Sequence, residues 1–213
     1  MEREFDGLDE VFDNDSNVIE NSEPFELFAK WMELAEKHEV NDPNAMALST
    51  VDADGMPNVR MVLLKGMDGE SFTFYTNSES QKGNELAHNM KAACVFHWKS
   101  LQRQIRIRGN VEMVSAEEAD AYFNSRSRGS RIGAWASQQS RPISHRNELK
   151  MAVVKEAARF NIGKIDRPEY WNGYKITPTY IEFWMDKPFR LHDRAIFKRQ
   201  SPSDNWSYSK YFP

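Results

Sequence analysis

The chain has 213 residues, with 28 Lys or Arg against 32 Asp or Glu, so its formal net charge is -4 at pH 7. This length can bury a full core within one domain, and the acidic balance argues against general attraction to nucleic acid or anionic membranes. The single cysteine, Cys94, excludes a disulfide framework and a cysteine-based metal site; we expect a buried, inert thiol and no metal.

The first 20 residues are rich in Asp, Glu and Asn and show little periodic apolar content, which predicts an arm that is mobile or ordered only by a partner, ahead of one domain at residues 21–213. The arm lacks the basic and apolar regions of a signal peptide, and no apolar run approaches the length of a membrane span. We therefore expect a cytoplasmic protein that does not bind membranes.

Apolar residues recur at helical spacing from Phe25 to Ala35, which predicts a helix that docks one face. Periodicity and capping residues predict further helices at 80–89, 115–123 and 146–160. β-rich runs bounded by turn residues predict strands at 45–51, 58–64, 71–76, 92–98, 103–114, 180–184, 190–197 and 206–211. Residues 125–131, dense in Arg and Ser, are predicted to form a loop.

The predicted strands outnumber the helices and adjoin one another instead of alternating with helices. This order favours a mainly β protein with helices (α+β), an antiparallel barrel decorated by helices, over a doubly wound sheet. The chain has neither a Gly-rich strand-to-helix turn nor a Walker-type loop, so side chains must bind any phosphate group.

The segment Arg190-Leu191-His192-Asp193-Arg194 carries the densest local charge. In an extended strand, alternate side chains share a face, so Arg190, His192 and Arg194 would lie side by side. Their repulsion requires either carboxylates or an anionic ligand nearby.

Three other segments carry groups that can hold a phosphate. Arg60 and Lys65 bracket an apolar strand, but their odd spacing places them on opposite faces unless the strand bends. Hydroxyl groups and a cation lie at a helix start, and a second group combines arginines, serines and a tyrosine. These two groups comprise Tyr75, Thr76, Ser80, Gln81 and Lys82, and then Tyr122, Arg126, Ser130 and Arg131, with Gln139, Ser140 and Trp171 as neutral or stacking partners.

The order and spacing of these segments closely resemble the pyridoxine (pyridoxamine) 5'-phosphate oxidase family from about residue 22 to the C-terminus. The resemblance rests on residues 60–65 (Arg-Met-Val-Leu-Leu-Lys), 75–77, 103–104, 122–126, 132–135, 139–140 and 190–194. It implies an FMN-binding split β-barrel homodimer with FMN at the subunit interface, and oxidation of pyridoxine or pyridoxamine 5'-phosphate to pyridoxal 5'-phosphate by O2.

The resemblance also implies roles for single residues. FMN contacts fall on Arg60, Met61, Val62, Leu63, Leu64, Lys65, Tyr75, Thr76, Gln81, Lys82, Gln104, Gln139, Ser140, Trp171 and Arg194. Substrate contacts fall on Lys65, Tyr122, Arg126, Ser130, Arg190 and His192. The catalytic set is Arg190, His192 and Asp42, although Asp42 before Pro43 also suits an ordinary turn.

The chain departs from the family at Gln81, where arginine is usual, at Asn172, where glycine is usual, and at Arg131, where an uncharged amide is common. Three alternatives stay open: a flavin reductase-like split barrel, a non-catalytic carrier of flavin or pyridoxal phosphate, and a nucleic-acid binder. The acidic net charge disfavours the last.

Overall fold

A computed structural model describes residue 19 and residues 22–213. The predicted arm at residues 1–20 lies outside the described residues apart from Ile19, whose side chain is buried. Within the described residues, no helix is both long enough and apolar enough to cross a membrane.

The described residues form nine strands and five α-helices that make one antiparallel sheet with helices around it. In chain order these are α1 (Pro24–His38), β1 (Ala45–Val51), β2 (Pro57–Leu63), β3 (Gly66–Met67), β4 (Phe72–Asn77), α2 (Gln81–His88), β5 (Lys91–Trp98), β6 (Arg103–Met113), α3 (Ala116–Ser125), α4 (Arg128–Ala136), α5 (Arg146–Arg159), β7 (Trp171–Met185), β8 (Asp193–Lys198) and β9 (Ser207–Lys210).

Strand β7 organises the sheet because both of its edges are paired. Along one edge it pairs with β6 over nearly its whole length. Along the other edge, its first half pairs with β4 and its second half with β8. The sheet order β2-β1-β5-β6-β7-β4-β3 therefore branches at β7, and the predicted split antiparallel barrel with decorating helices is confirmed.

Helix α1 covers the apolar face of this curled sheet. Its start is fixed by Glu23, whose carboxylate accepts from the backbone N–H of Phe25 at 2.9 Å, and by Pro24 in the first turn. Phe28 is 1% exposed, and its ring centroid lies 4.8 Å from that of Phe72 and 5.2 Å from that of Phe96. The helical spacing of the apolar residues thus matches the face that is buried.

Cys94 lies in this core, as predicted. Burial raises the pKa of its thiol to about 12, so that the group stays protonated and unreactive at neutral pH.

The predicted loop at residues 125–131 is wrong, because helix α4 begins at Arg128. Ser127 caps the helix by accepting from the N–H of Ser130 at 3.3 Å, and Ile132 and Ala136 are buried. The dense Arg and Ser content therefore reflects a capped helix with one packed face. This helix still presents Ser130 and its neighbours on the outer side.

The predicted strand at 190–197 is wrong at its start, because β8 begins at Asp193 and residues Pro188–Arg190 form a short 3-10 turn. Phe189 and Arg190 have φ values of 56° and 62°, in the left-handed region that non-glycine residues rarely adopt. Arg190, His192 and Arg194 therefore do not alternate along one extended strand. The tight return from β7 to β8 overrides the local β pattern.

Replacing Phe28 by alanine tests the α1 interface. We expect the free energy of unfolding to fall by about 3 to 5 kcal/mol, since the variant loses a buried ring and leaves a cavity among three other aromatic rings. Denaturant titration at fixed protein concentration measures the change. Val40→Ala, at a side chain that is 88% exposed beside α1, is the control and should change the value by less than about 0.5 kcal/mol. A similar loss in both variants would show that Phe28 does not anchor the helix.

Candidate ligand-binding cleft

A cleft of about 510 Å³ opens where the end of β2, strand β4 and helices α2 to α4 meet the first residue of β7. Its volume is in the range of small-molecule sites. It brings together predicted site residues that are far apart in the chain. These are Met61, Val62, Leu63, Lys65, Tyr75, Thr76, Lys82, Tyr122, Arg126, Ser130, Gln139 and Trp171.

Three stacked aromatic rings form part of the cleft wall. The ring centroids of Tyr75 and Tyr122 are 4.0 Å apart, and Trp171 stacks on Tyr75 at 5.2 Å. Gly173 makes this arrangement possible, because a Cβ atom there would lie 2.6 Å from the Tyr75 ring. Burial, aided by Glu118 and Tyr122, raises the pKa of Tyr75 to about 12, so its hydroxyl remains a donor at neutral pH.

Arg126 brings an incompletely bonded cation to the same wall. Its guanidinium lies 4.7 Å from the ring centroid of Trp171, and its buried NH1 atom has no hydrogen-bond partner among the described residues. Burial lowers the pKa of Arg126, although an arginine stays charged at physiological pH. A buried guanidinium N–H without an acceptor is costly, so this atom points to an anionic ligand.

Lys82 is a second cation of the cleft, and it is 7% exposed. Its ammonium donates to the hydroxyls of Thr76 at 3.2 Å and Ser80 at 3.3 Å and to the side-chain oxygen of Gln139 at 3.1 Å. All three acceptors are neutral. Burial, together with the nearby charge of Arg60, lowers the pKa of Lys82, whereas Glu85 acts in the opposite direction. An anion in the cleft would stabilise the charged form.

Arg60 does not line the cleft, although it was predicted to contact the cofactor. It donates to the carboxylate of Glu85 at 2.9 Å and to the carbonyl of Leu48 at 3.2 Å, which ties β2 to α2. Burial favours a higher pKa for Glu85, but hydrogen bonds from Thr50 and Asn58 and the charge of Arg60 lower it overall. Lys65 follows the end of β2 and lines the cleft, so Arg60 and Lys65 do not meet there.

Other predicted cofactor residues flank the cleft. Leu64 is buried in the core, whereas Gln81 and Ser140 line a second cavity of about 380 Å³, which shares Gln139 with the cleft. That cavity also contains Arg141, whose guanidinium pairs with Glu79 at 2.7 Å. Arg141 therefore supplies a guanidinium beside Gln81, where the family usually has arginine.

The remaining predicted site residues lie away from this cleft, in other surface regions of the same chain. Gln104 lies in a depression on the outer face of β5 and β6, and Asp42 lies in a turn beside Glu39 and His97. Arg190 is exposed on the turn between β7 and β8. The structure therefore does not bring Asp42, Gln104, Arg190, His192 and Arg194 to the cleft formed by their own chain.

Carboxylates contact two of these remote side chains. Arg194 donates through Nε to Glu182 at 2.7 Å and through NH1 to the carbonyl of Phe212 at 3.0 Å. His192 places Nδ1 2.8 Å from Asp186. Hydrogen bonds from Arg194 and Tyr180 lower the pKa of Glu182 despite its burial, which opposes the shift. The predicted need for carboxylates is thus met within the chain.

Sequence reasoning missed several residues that support the cleft. Arg167 donates to the carbonyl of Trp171 at 2.8 Å and to Asp120 at 2.6 Å, and Asn172 donates to Ser78 at 3.3 Å. Glu182 carried a usable signal, since a carboxylate within an apolar strand sequence implies a buried partner. Arg167 carried none, because its carboxylate partner Asp120 is 47 positions away.

Comparison with known proteins identifies relatives over most of the chain. Residues 32–159 match the family described as "Pyridoxamine 5'-phosphate oxidase", and residues 171–213 match "Pyridoxine 5'-phosphate oxidase C-terminal dimerisation region". The chain is 62% identical over 203 residues to pyridoxine/pyridoxamine 5'-phosphate oxidase 2 of Ralstonia nicotianae, with 95% of each chain covered. It is 63% identical over 191 residues to pyridoxine/pyridoxamine 5'-phosphate oxidase of Sinorhizobium fredii, covering 90% and 93% of the two chains.

Solved structures share the fold. The crystal structure of PhzG from Burkholderia lata in complex with tetrahydrophenazine-1-carboxylic acid gives a TM-score of 0.85 at 28% identity, covering 92% of this chain and 96% of that one. A pyridoxamine 5'-phosphate oxidase-related, FMN binding protein from Nostoc punctiforme gives 0.71 at 14% identity, covering 91% and 100%, and supports the fold alone.

The two incompletely compensated cations predict that stability depends on an anion. We expect inorganic phosphate at tenfold its Kd to stabilise the ligand-free protein by about 1.4 kcal/mol, and Lys82→Met to reduce this gain. Without phosphate, Lys82→Met should be no less stable than the parent, because a buried charge with neutral partners is removed. Thermal unfolding in phosphate and in chloride of equal ionic strength measures both effects.

The control is Lys155→Met, at an exposed position of α5, which should retain the full phosphate effect. A large loss of stability in Lys82→Met without phosphate would contradict the assignment and make the ammonium a structural group.

Proposed function

Because the chain belongs to the pyridoxamine 5'-phosphate oxidase family, we propose that it oxidises pyridoxine or pyridoxamine 5'-phosphate to pyridoxal 5'-phosphate, with FMN and O2. The observation that carries this proposal is the cleft, where stacked aromatic rings adjoin the unpaired NH1 of Arg126 and the buried ammonium of Lys82. Such a site suits planar ligands that carry phosphate groups.

The overall reaction is balanced by O2 and water. The alcohol loses two hydrogens to O2, giving the aldehyde and H2O2, whereas the amine also consumes one water and releases ammonia. FMN, when bound, supplies the hydride acceptor and the reactivity towards O2. The chain's own contribution is to bind the two ligands, orient them and exclude water.

The cleft residues fit this cofactor and substrate. Lys82, Thr76 and Gln139 form one polar group with a buried cation, suited to the FMN phosphate. Lys65, Tyr122, Arg126 and Ser130 form the group assigned to the substrate phosphate. Because an oxygen of a phosphate can accept from the unpaired NH1 of Arg126, the ligand offsets a cost that the free protein bears.

The remote residues are proposed to reach the cleft from a second subunit. Strand β7 has 15 residues, so its ends are separated by roughly 45 Å along the strand at about 3.3 Å per residue. Trp171, at its first residue, lines the cleft, whereas Arg190 and His192 follow its last residue. A two-fold dimer can bring the turn after β7 of one chain to the cleft of the other.

Two further observations support the homodimer. The residues after position 171 match the family's C-terminal dimerisation region, which contains β7, β8 and β9. Val59 and Met61 of β2 are 64% and 63% exposed beside the cleft, and such an apolar surface favours association. Gln104, Arg194, Arg190, His192 and Asp42 would then complete the partner's site.

The reaction is tested by adding pyridoxine 5'-phosphate to the FMN-loaded protein without oxygen. We expect the visible flavin absorbance to bleach, and O2 to restore it with one H2O2 formed per pyridoxal 5'-phosphate. Pyridoxine without phosphate is the matched control; it should react at least tenfold less efficiently, because it lacks charged hydrogen bonds worth about 1.5 to 3 kcal/mol each. If neither pyridoxine 5'-phosphate nor pyridoxamine 5'-phosphate bleaches the bound FMN, the protein is a carrier. If the protein does not bind FMN, the proposed site is rejected.

The shared site is tested by mixing two inactive variants. Lys82→Met should lose FMN affinity, whereas Arg190→Met should keep FMN but lose roughly tenfold to a hundredfold in kcat/KM. After dissociation and reassociation of an equal mixture, half of the dimers are heterodimers with one fully native site. About a quarter of all sites, and of the parent activity, should therefore return. If activity stays at the level of the unmixed variants, each site takes both residues from one chain.

A further inference from the structure

The turn between β7 and β8 contains a histidine–aspartate pair, of which the family resemblance assigns only His192. His192 Nδ1 lies 2.8 Å from Oδ1 of Asp186, and the imidazole ring lies 4.7 Å from the ring of Trp184. The His192 side chain is 17% exposed and that of Asp186 is 42% exposed. The pair therefore lies at the edge of solvent, with one ring nitrogen already occupied.

Two groups compete for that nitrogen. The backbone N–H of Lys187 also points at His192 Nδ1, at 3.2 Å, and would require an unprotonated Nδ1. A carboxylate oxygen at 2.8 Å instead requires a proton on Nδ1, since two lone pairs at that distance repel. The shorter, charge-assisted contact is the stronger one, so it sets the tautomer. Neutral His192 then carries its proton on Nδ1 and a lone pair on Nε2.

Backbone hydrogen bonds hold Asp186 in the position from which it contacts His192. Its N–H donates to the carbonyl of Gln102 at 2.9 Å, which attaches the start of the turn to the loop between β5 and β6. Within the turn, the N–H of Leu191 donates to the carbonyl of Pro188 at 3.1 Å. The left-handed backbone at Phe189 and Arg190 closes the turn so that His192 returns to Asp186.

The other charges of this turn form a separate pair. Lys187 Nζ lies 3.8 Å from Asp193 across the hairpin, and Arg190 is exposed at its tip. Asp193 therefore carries the same charge as Asp186 and lies in the same hairpin, but it pairs with Lys187 and not with His192. This makes Asp193 a matched control for the loss of a carboxylate.

We propose that Asp186 is a positioning residue that holds His192 in the Nδ1–H tautomer and directs Nε2, as a hydrogen-bond acceptor, at the substrate. This inference rests on the proposed function, since the substrate supplies the donor: pyridoxine 5'-phosphate carries hydroxyl groups on the ring and on the reacting carbon. His192 contacts the substrate, whereas Asp186 acts only through His192.

The test compares Asp186→Ala, Asp186→Asn and the control Asp193→Asn. In the ligand-free protein, nitrogen NMR of the imidazole, assigned with His192→Gln, should show the Nδ1–H tautomer in the parent and a mixture in Asp186→Ala. Asp186→Asn should lie between them, because its amide oxygen still accepts from Nδ1–H. Asp193→Asn should retain the parent signature.

Ligand affinities and kinetics are then measured for the same series of variants. We expect Asp186→Ala to weaken binding of pyridoxal 5'-phosphate and to lower kcat/KM for pyridoxine 5'-phosphate by about tenfold, with FMN affinity within twofold of the parent. In the His192→Gln background, Asp186→Ala should have no further effect, since the two residues act as one unit.

The proposal is wrong if Asp186→Ala leaves the tautomer unchanged, if Asp193→Asn lowers kcat/KM as much, or if the effect persists without His192. These outcomes can be distinguished from a failure of the proposed function. If the parent binds FMN but oxidises neither substrate, the function is rejected, while the NMR series still decides whether Asp186 sets the tautomer.

Discussion

The length of β7 determines how the sheet is paired and how far the cleft lies from the turn between β7 and β8. One uninterrupted strand forms the seam of the sheet, with β6 along one edge and β4 and β8 sharing the other. Its first residue, Trp171, stacks on Tyr75 in the cleft, and its last residue leads into the turn that carries Arg190 and His192. A strand cannot fold back on itself, so the cleft and the turn that carries Arg190 and His192 are kept apart within one chain. The proposal of a site assembled from two chains rests on this separation and on the match of residues 171–213, which contain the strand, to the family's C-terminal dimerisation region.

Charge is distributed differently in the two halves. The remote side chains have carboxylates of their own, Glu182 for Arg194 and Asp186 for His192. In the cleft, the Lys82 ammonium donates only to neutral oxygens, and NH1 of Arg126 is unpaired among the described residues. Side chains that carboxylates already hold can orient a ligand with little change on binding, whereas a ligand's negative charge would compensate the cleft cations. We therefore expect the anionic groups of the ligands to bind in the cleft, and the turn between β7 and β8 to supply directional contacts to the substrate.

Much of the fold could be predicted from local pattern. Strand β1 was predicted at its observed bounds, because an alternating apolar run is followed by the Asp and Gly residues of a tight turn, with Gly55 at a φ of 85°. Two predictions failed for identifiable reasons. At residues 125–131, a serine cap and two buried apolar positions outweigh the Gly and Arg content. At residues 188–192, the return from β7 to β8 imposes a turn on a sequence whose alternation suits a strand.

The candidate site was predictable where contacts are local and unpredictable where they are not. Lys82 lies at a helix start recognisable from Ser80, and Arg126 follows a helix that Ser115 caps, so both were found from sequence. The partner of Arg60 could not be predicted from sequence, since Glu85 is 25 positions away and only the packing of α2 against the sheet brings the two residues together. Asp186 was missed for a different reason: it lies only six positions from His192, but the turn that brings them together was predicted as a strand and no motif includes Asp186. Residues that bind a ligand are restricted by its chemistry and leave a sequence pattern, whereas residues that position them are restricted only by the local fold. Structure is therefore needed most for the second kind, and in this chain Asp186 and Arg167 belong to it.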